Sequence, residues 1–499
     1  MKKYNNKLAA VLVLSLTAVL SGCVTPPASS SQGGSQDTSS STTPAKTVEA
    51  YNGEAVEIKF YHTMSADKLQ PVLQSAIDRF NVMYPNITVK HEQVGSYNDV
   101  RDQIKTEISV GAQPNLAYCY PDHVALYNQA KAVRTLDDYI DSTLEQSTFE
   151  EDASLRTTSV LGLTAEQKAD YIDGYYNEGK TFGDDLMYTL PFSKSTEVLY
   201  YNKTFFDENK LTVPTTWEEL EAVARQIKTI EPYSVPLGYD SEGNWFITMA
   251  EQYGNPYTAA AKKVQDRFLF NNAENKAFIK EFAGWYKDGL VTTQTLYGSY
   301  TSGLFTNLKP NEDGHIIRSL MCIGSSAGAT HQRPAKGDDG KYPFEVGIAP
   351  LPQVDKANPK AISQGPSVVM FKSTPQKEAA SWLLLEFLTT DVAFQAEFGS
   401  ASGYMPVLES VQENETYKKL LDSADGYDNV AALAAKAAFA QKDAYFTSPA
   451  FVGSSAARDQ VGAIVCAAMT ASTQPGGLTD PILDGIFQDA IDECVYNTK

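Results

Sequence analysis

The 499-residue chain has few of the side chains that usually carry metal or covalent chemistry. Its five histidines are His62, His91, His123, His315 and His331, and none forms His-Glu-x-x-His or another close ligand pair. A dedicated zinc or other metal site is therefore not expected. No Walker A segment and no Gly-x-Gly-x-x-Gly occurs, which removes the sequence basis for a nucleotide cofactor, and none is expected. Five cysteines scattered along so long a chain are no disulfide framework. Cys119 and Cys322 lie in apolar, strand-like runs and read as core thiols, whereas Cys466 and Cys494, in a helical region, could pair. Basic residues are outnumbered, 41 against 61 acidic, for a net charge of −20. That balance argues against nucleic acid as a partner and suits solubility outside the cell. One catalytic pattern is present, Gly324-Ser325-Ser326-Ala327-Gly328, which fits Gly-x-Ser-x-Gly. The hydrolase elbow needs an acid and then a histidine later in the chain, and the sole later histidine, His331, follows too closely. Nothing selects a carboxylate pair for glycoside hydrolysis either. No catalytic residue is expected.

A long hydrophobic run is also missing. Lys2, Lys3 and Lys7 precede an apolar stretch from Leu8 to Leu20, about 13 residues, against the roughly 20 that a spanning helix needs. Leu20-Ser21-Gly22-Cys23 follows. A charged start, a short apolar centre and a small-residue exit make a secretory signal over residues 1–22. The last four residues resemble the bacterial lipobox, which implies that Cys23 is acylated and becomes the first mature residue. Val24 to Ala50 is dominated by Ser, Thr, Pro, Gly and Gln, with no aromatic residue before Tyr51. Such a segment buries too little apolar surface to offset its ordering entropy, so 23–50 reads as a lipidated, flexible tether. More than one acyl chain on Cys23 gives a stable anchor. The expected place is the outer face of the cell membrane, or the periplasmic side of a membrane.

About 450 residues remain, more than one hydrophobic core usually serves, so two lobes are expected. Val56 to Tyr61 alternates as a strand. Leu69, Val72, Leu73, Ile77, Phe80 and Met83 follow at helical spacing, and Tyr84-Pro85-Asn86 ends that helix. Ile87–Val89, a helix over 100–110 and the apolar Leu116–Cys119 continue the alternation, which indicates an α/β body with a largely parallel sheet. The pattern restarts at Glu197–Tyr201. Thr215-Thr216-Trp217-Glu218 reads as a capping box opening a helix to about Ile230. Strands are expected over 316–323, 346–349 and 367–371, a helix begins at Thr374-Pro375, and from Asp391 only helix and loop are expected. Tyrosines cluster at Tyr118 and Tyr120, Tyr175 and Tyr176, and Tyr200 and Tyr201, as core packing or as faces for sugars and polyols.

Several ordered segments carry a resemblance: Phe60–Met64, Leu190–Lys203 continuing to Val213–Leu220, Gly365 with Ser367-Val368-Val369, Lys377–Ala380, and Gly403-Tyr404-Met405-Pro406. Together they resemble the extracellular solute-binding proteins of ABC importers, carbohydrate type, nearest to the branch that binds glycerol 3-phosphate. The resemblance implies a two-lobe α/β fold of the periplasmic-binding-protein type II kind, with a hinge and an interlobe ligand cleft. It places residues 51–188 with 364–390 in the first lobe and 192–352 with 400–499 in the second. Crossings are expected near 186–192, 352–364 and 389–399. It implies a monomer that captures a sugar, polyol or glycerol phosphate and delivers it to an ABC permease. By the same resemblance Tyr97, Ser195 and Trp245 contact ligand, and Asp122 stands where a glutamate meets glycerol hydroxyls. Ser325 and Ser326 reach the polar head, Gly365 brings backbone close, and Tyr404 and Arg458 hold phosphate. An extracytoplasmic glycan or ester hydrolase, and a surface adhesin or sensor on the same fold, are the alternatives.

Overall fold

The alternating segment that opens the body becomes strand β1 (Val56–His62), with Ile58 and Phe60 buried and Glu57 and Lys59 in solvent. The structure is a computed structural model that describes residues 48–426 and 429–498. Cys23, the signal and nearly all of the tether lie outside the described residues. The tether's expected end does not: Val48 already packs on the first core, and the Ala50 carbonyl accepts from Gln376 Nε2 at 3.2 Å.

The strands that follow are β2 (Ile87–Gln93), β3 (Leu116–Cys119), β4 (Glu145–Ser147), β5 (Thr158–Val160), β6 (Thr189–Pro191) and β7 (Ser195–Asn202). After them come β8 (Leu237–Tyr239), β9 (Val291–Thr293), β10 (Met321–Ser325), β11 (Val346–Pro350), β12 (Ala361–Gln364), β13 (Ser367–Met370) and β14 (Tyr445–Phe446). One sheet runs β2-β1-β3-β13-β6, the other β14-β12-β7-β10-β8-β9 with β11 also on β7. Both are mixed rather than largely parallel. β1 is parallel to β2 and β3, but β13 is antiparallel to β3 and β6, and β7 is antiparallel to β10, β11 and β12. The expected strand over 316–323 begins only at Met321, and β14 supplies two strand residues where helix and loop were expected.

The antiparallel pairs arise where the chain passes between sheets. β6 leads into β7 through Phe192–Lys194, and β12 into β13 through Gly365-Pro366, each a little later than the sequence suggested. The crossing expected near 389–399 is not there. The helices Pro375–Thr390 and Val392–Ser402 both pack in the core of the first sheet through Trp382, Leu388, Phe394 and Phe398. Met405, Val407, Leu408, Val411 and Tyr417 join that core too, so 400–499 does not enter the second lobe as a block. The helix Val430–Ala440 contributes to two cores, with Ala435 and Ala438 on the first sheet's side and Val430 and Ala434 against Val198 and Tyr200 of β7. The second sheet's main core gathers Trp217, Trp245, Phe282 and Trp285, and later Phe451, Val461 and Phe487. Helix Trp217–Ile230 is indeed opened by a capping box, but Thr216 pairs with Glu219, one residue beyond the acid expected. All four cysteines of the described body are free, including Cys466 and Cys494.

Candidate ligand-binding cleft

Between the ends of β3 and β12 lies a cavity of about 270 Å³. Its first wall starts where β3 stops. Tyr120 is the N-cap of the helix Pro121–Gln129, whose opening proline suits the first helical position. Asp122 falls in the first turn, where the helix dipole favours a carboxylate. The opposite wall is Ser363 and Gln364 of β12 with the first turn of the helix Ser454–Thr473, which carries Ser455 and Arg458.

The walls touch through hydrogen bonds in which the Ser455 hydroxyl donates to Asp122 Oδ2 and the Thr447 hydroxyl donates to Glu178 Oε2. Arg458 is held from behind. Its Nη2 donates to Asn244 Oδ1, Asn244 Nδ2 donates to Glu197 Oε1 at 2.9 Å, and Tyr239 donates to Glu197 Oε2 at 2.5 Å. Burial pushes the Glu197 carboxyl up to about 7, against the opposing pull of those two donors and Arg458. Two buried polar atoms of the lining, Ser363 Oγ and His123 Nδ1, have no hydrogen-bond partner among the described residues. A buried polar group without a partner costs about 1–3 kcal/mol, and both atoms sit beneath the cavity surface. Burial raises the phenols of Tyr97, Tyr118 and Tyr120 well above their ordinary range, so each stays a neutral donor. Among the described residues no cluster of three or more His, Cys, Asp or Glu could hold a metal ion.

Of the residues singled out in the sequence, Asp122 and Arg458 line the cavity. Tyr97 and Tyr404 meet hydroxyl to hydroxyl at 3.4 Å, and Tyr97 packs 4.8 Å from Tyr120, which lines it. Gly365 and Ser195 lie just behind, at the crossings. Gly365 has φ +94°, and a Cβ there would meet Ser193 O at 2.6 Å. Ser325 and Ser326 do not line the cavity. Ser325 Oγ accepts from Ala327 N, and the buried Ser326 Oγ accepts from Thr196 N at 3.2 Å. Trp245 is the clear correction. It is fully buried in the second core, stacked between Tyr239 at 4.7 Å and Phe282 at 4.1 Å, with no surface for a ligand. Sequence reasoning missed Glu178, Ser363, Gln364 and Ser455 as lining residues. Ser455 is placed at the cavity by the helix start at Ser454.

The sequence profile of a family described as bacterial extracellular solute-binding protein matches residues 75–424. The maltotriose-binding protein of Pyrococcus abyssi is 23% identical over 373 residues, covering 72% of this chain and 69% of its own. The sn-glycerol-3-phosphate-binding periplasmic protein of Yersinia pestis is 23% identical over 385 residues, covering 74% and 79%. Among solved structures, the sugar-binding protein MalE of Xanthomonas citri superposes with a TM-score of 0.65 at 16% identity, over 88% of this chain and 98% of that one. UgpB of Mycobacterium tuberculosis, in complex with glycerophosphocholine, gives 0.63 at 16% identity over the same shares. Likeness at that identity establishes the two-lobe fold.

Proposed function

The chain belongs to the bacterial extracellular solute-binding proteins, and from that premise we propose that it captures a small polyhydroxylated solute between its lobes for an ABC importer. The observation that carries this is the cavity itself. Its two walls come from the two sheets, they meet through Asp122 and Ser455, and they line the space with the polar side chains of Gln364 and Arg458. A solute bonded to both walls stabilises the closed arrangement, and the permease receives that arrangement. The site residues proposed are Tyr97, Tyr120, Asp122, Ser363, Gln364, Tyr404 and Arg458, with Gly365 and Ser195 shaping the crossings behind them.

A neutral sugar or polyol is the favoured cargo. Asp122, Glu178 and Asp459 line the cavity against Arg101 and Arg458, and carboxylates accept from hydroxyls but repel phosphate. Glycerol phosphate is the second reading. Arg458 favours it, since a planar guanidinium pairs with phosphate oxygens. Binding without turnover is the activity proposed. Among the described residues no helix is long and apolar enough to cross a membrane. The anchor proposed is the acylated Cys23, which keeps the body beside its permease while the tether gives it reach.

Thermal unfolding in the presence of maltotriose, glycerol, sn-glycerol 3-phosphate and glycerophosphocholine tests the reading. A cognate solute at 100 times its dissociation constant adds about 2.7 kcal/mol. Stabilisation by a neutral solute supports the favoured cargo, and stabilisation by the phosphates alone supports the second reading. A solute consumed rather than bound would contradict both.

A further inference from the structure

Both observed crossings converge on one buried ammonium. Lys194, at the end of the first crossing, is 0 % exposed. Its Nζ is ion-paired with Glu178 Oε1, donates to Gly365 O of the second crossing at 3.2 Å, and donates to Ser367 Oγ of β13 at 2.9 Å. Its backbone is fixed too, pairing with Met405 in both directions. A charge in so dry a place persists only while its partners stay, and stranding it is costly. The separation of the two crossings is thus set by the reach of one side chain.

Glu178 ties this clamp to the cleft. It ends the helix Asp173–Glu178, is buried, and lines the cavity. Oε1 serves Lys194 and also accepts from Ser367 Oγ at 2.9 Å. Oε2 accepts from Thr447 Oγ1 at 3.3 Å, and Thr447 follows β14 of the other sheet. One carboxylate therefore meets the hinge ammonium, a hydroxyl of the opposite lobe and the cavity surface.

We infer that Glu178 and Lys194 are the positioning pair through which a solute in the cleft sets the hinge. The inference rests on the solute-binding role proposed above. A hydroxyl donated to Glu178 from the cavity and the Thr447 hydroxyl arriving on closure stabilise the same carboxylate. That carboxylate holds the ammonium that fixes both crossings, so occupancy and closure favour each other.

Amide hydrogen exchange of the whole chain tests this, because hinge and solute are read separately. Ser367→Ala removes one partner of the ammonium and one of Glu178 without replacing any residue that lines the cavity. In the free chain it is expected to speed exchange over 193–196 and 364–368 about tenfold, the scale of one hydrogen bond to a charged group, while β1 is unchanged. Ser367→Thr restores the wild-type rates. Wild-type rates in the alanine variant would overturn the hinge clamp without any solute being involved. With maltotriose or sn-glycerol 3-phosphate as probe, wild-type hinge amides are protected, and Ser367→Ala lowers the probe's affinity about tenfold although Ser367 is outside the cavity. The double variant Glu178→Gln/Lys194→Met, which strands no charge, binds the probe more weakly and, once saturated with it, leaves the hinge amides unprotected. Wild-type affinity in Ser367→Ala, or full hinge protection in the double variant, would overturn the coupling. Protection of no wild-type amide by either probe would overturn the binding role on which the coupling rests, while the free-chain result still judges the clamp.

Discussion

A carboxyl inside an apolar core holds its proton to a higher pH than one in water, and Glu197 is such a group. Its folded value, about 7, lies above its ordinary 4.5. The folded chain then binds more protons than the unfolded one between those values. Glu197's contribution to stability is full below about pH 4.5 and is lost as pH rises through about 7. Denaturant titrations of wild type and Glu197→Gln at pH 5 and pH 8 read this directly. Wild type is expected to lose about 1–3 kcal/mol relative to the variant over that interval, and equal losses in the two would contradict the assignment. Individual site residues were legible to different degrees. Asp122 was readable only through the resemblance, and the structure places it in the first turn of the helix that Pro121 opens, on the cavity wall. Arg458 was readable as a cation but not as one oriented through Asn244 and Glu197, which lie far away in sequence. Trp245 was misread because resemblance carries a residue's neighbours but not its burial. The helix Glu242–Tyr253 is buried along nearly its whole N-terminal half, and Trp245 faces inward among other aromatic rings.

At the scale of elements, alternation and spacing sufficed for β1, β3, β7 and the helix Gln70–Met83, where Leu73, Ile77 and Phe80 of the six positions the periodicity selected are buried, with Ala76 beside them. The crossings were harder. Phe192, Ser193 and Lys194 are all buried and run on from β6, so a sequence pattern continues through them unbroken. The third crossing was misplaced because apolar helices carry no mark of which sheet they will cover. Phe394 and Phe398 could pack on either core, and only their contacts with Phe192 decide. Gly365 is the one crossing residue whose role shows in its backbone. With φ at +94° and the Ser193 carbonyl where a side chain would begin, Gly365→Ala is both strained and crowded. Its chemical denaturation is expected to show a loss of about 1–3 kcal/mol, and an unchanged midpoint would mean that the crossing tolerates an ordinary backbone.

At the scale of the molecule, the two-sheet architecture and membership of the solute-binding family point the same way. The role proposed is to hold a solute. Two cores joined by short crossings can rotate against each other without disturbing either, and only the cleft residues feel the change. Binding then shifts a population, and the size of the shift is the solute's differential affinity for the closed form. Small-angle X-ray scattering of the purified chain, recorded as the stabilising solute is titrated in, tests this central claim most directly. The account predicts a radius of gyration that falls and saturates at one solute per chain, with the solute recovered unchanged. A radius that stays constant through stoichiometric binding, or a solute that is turned over, would contradict it.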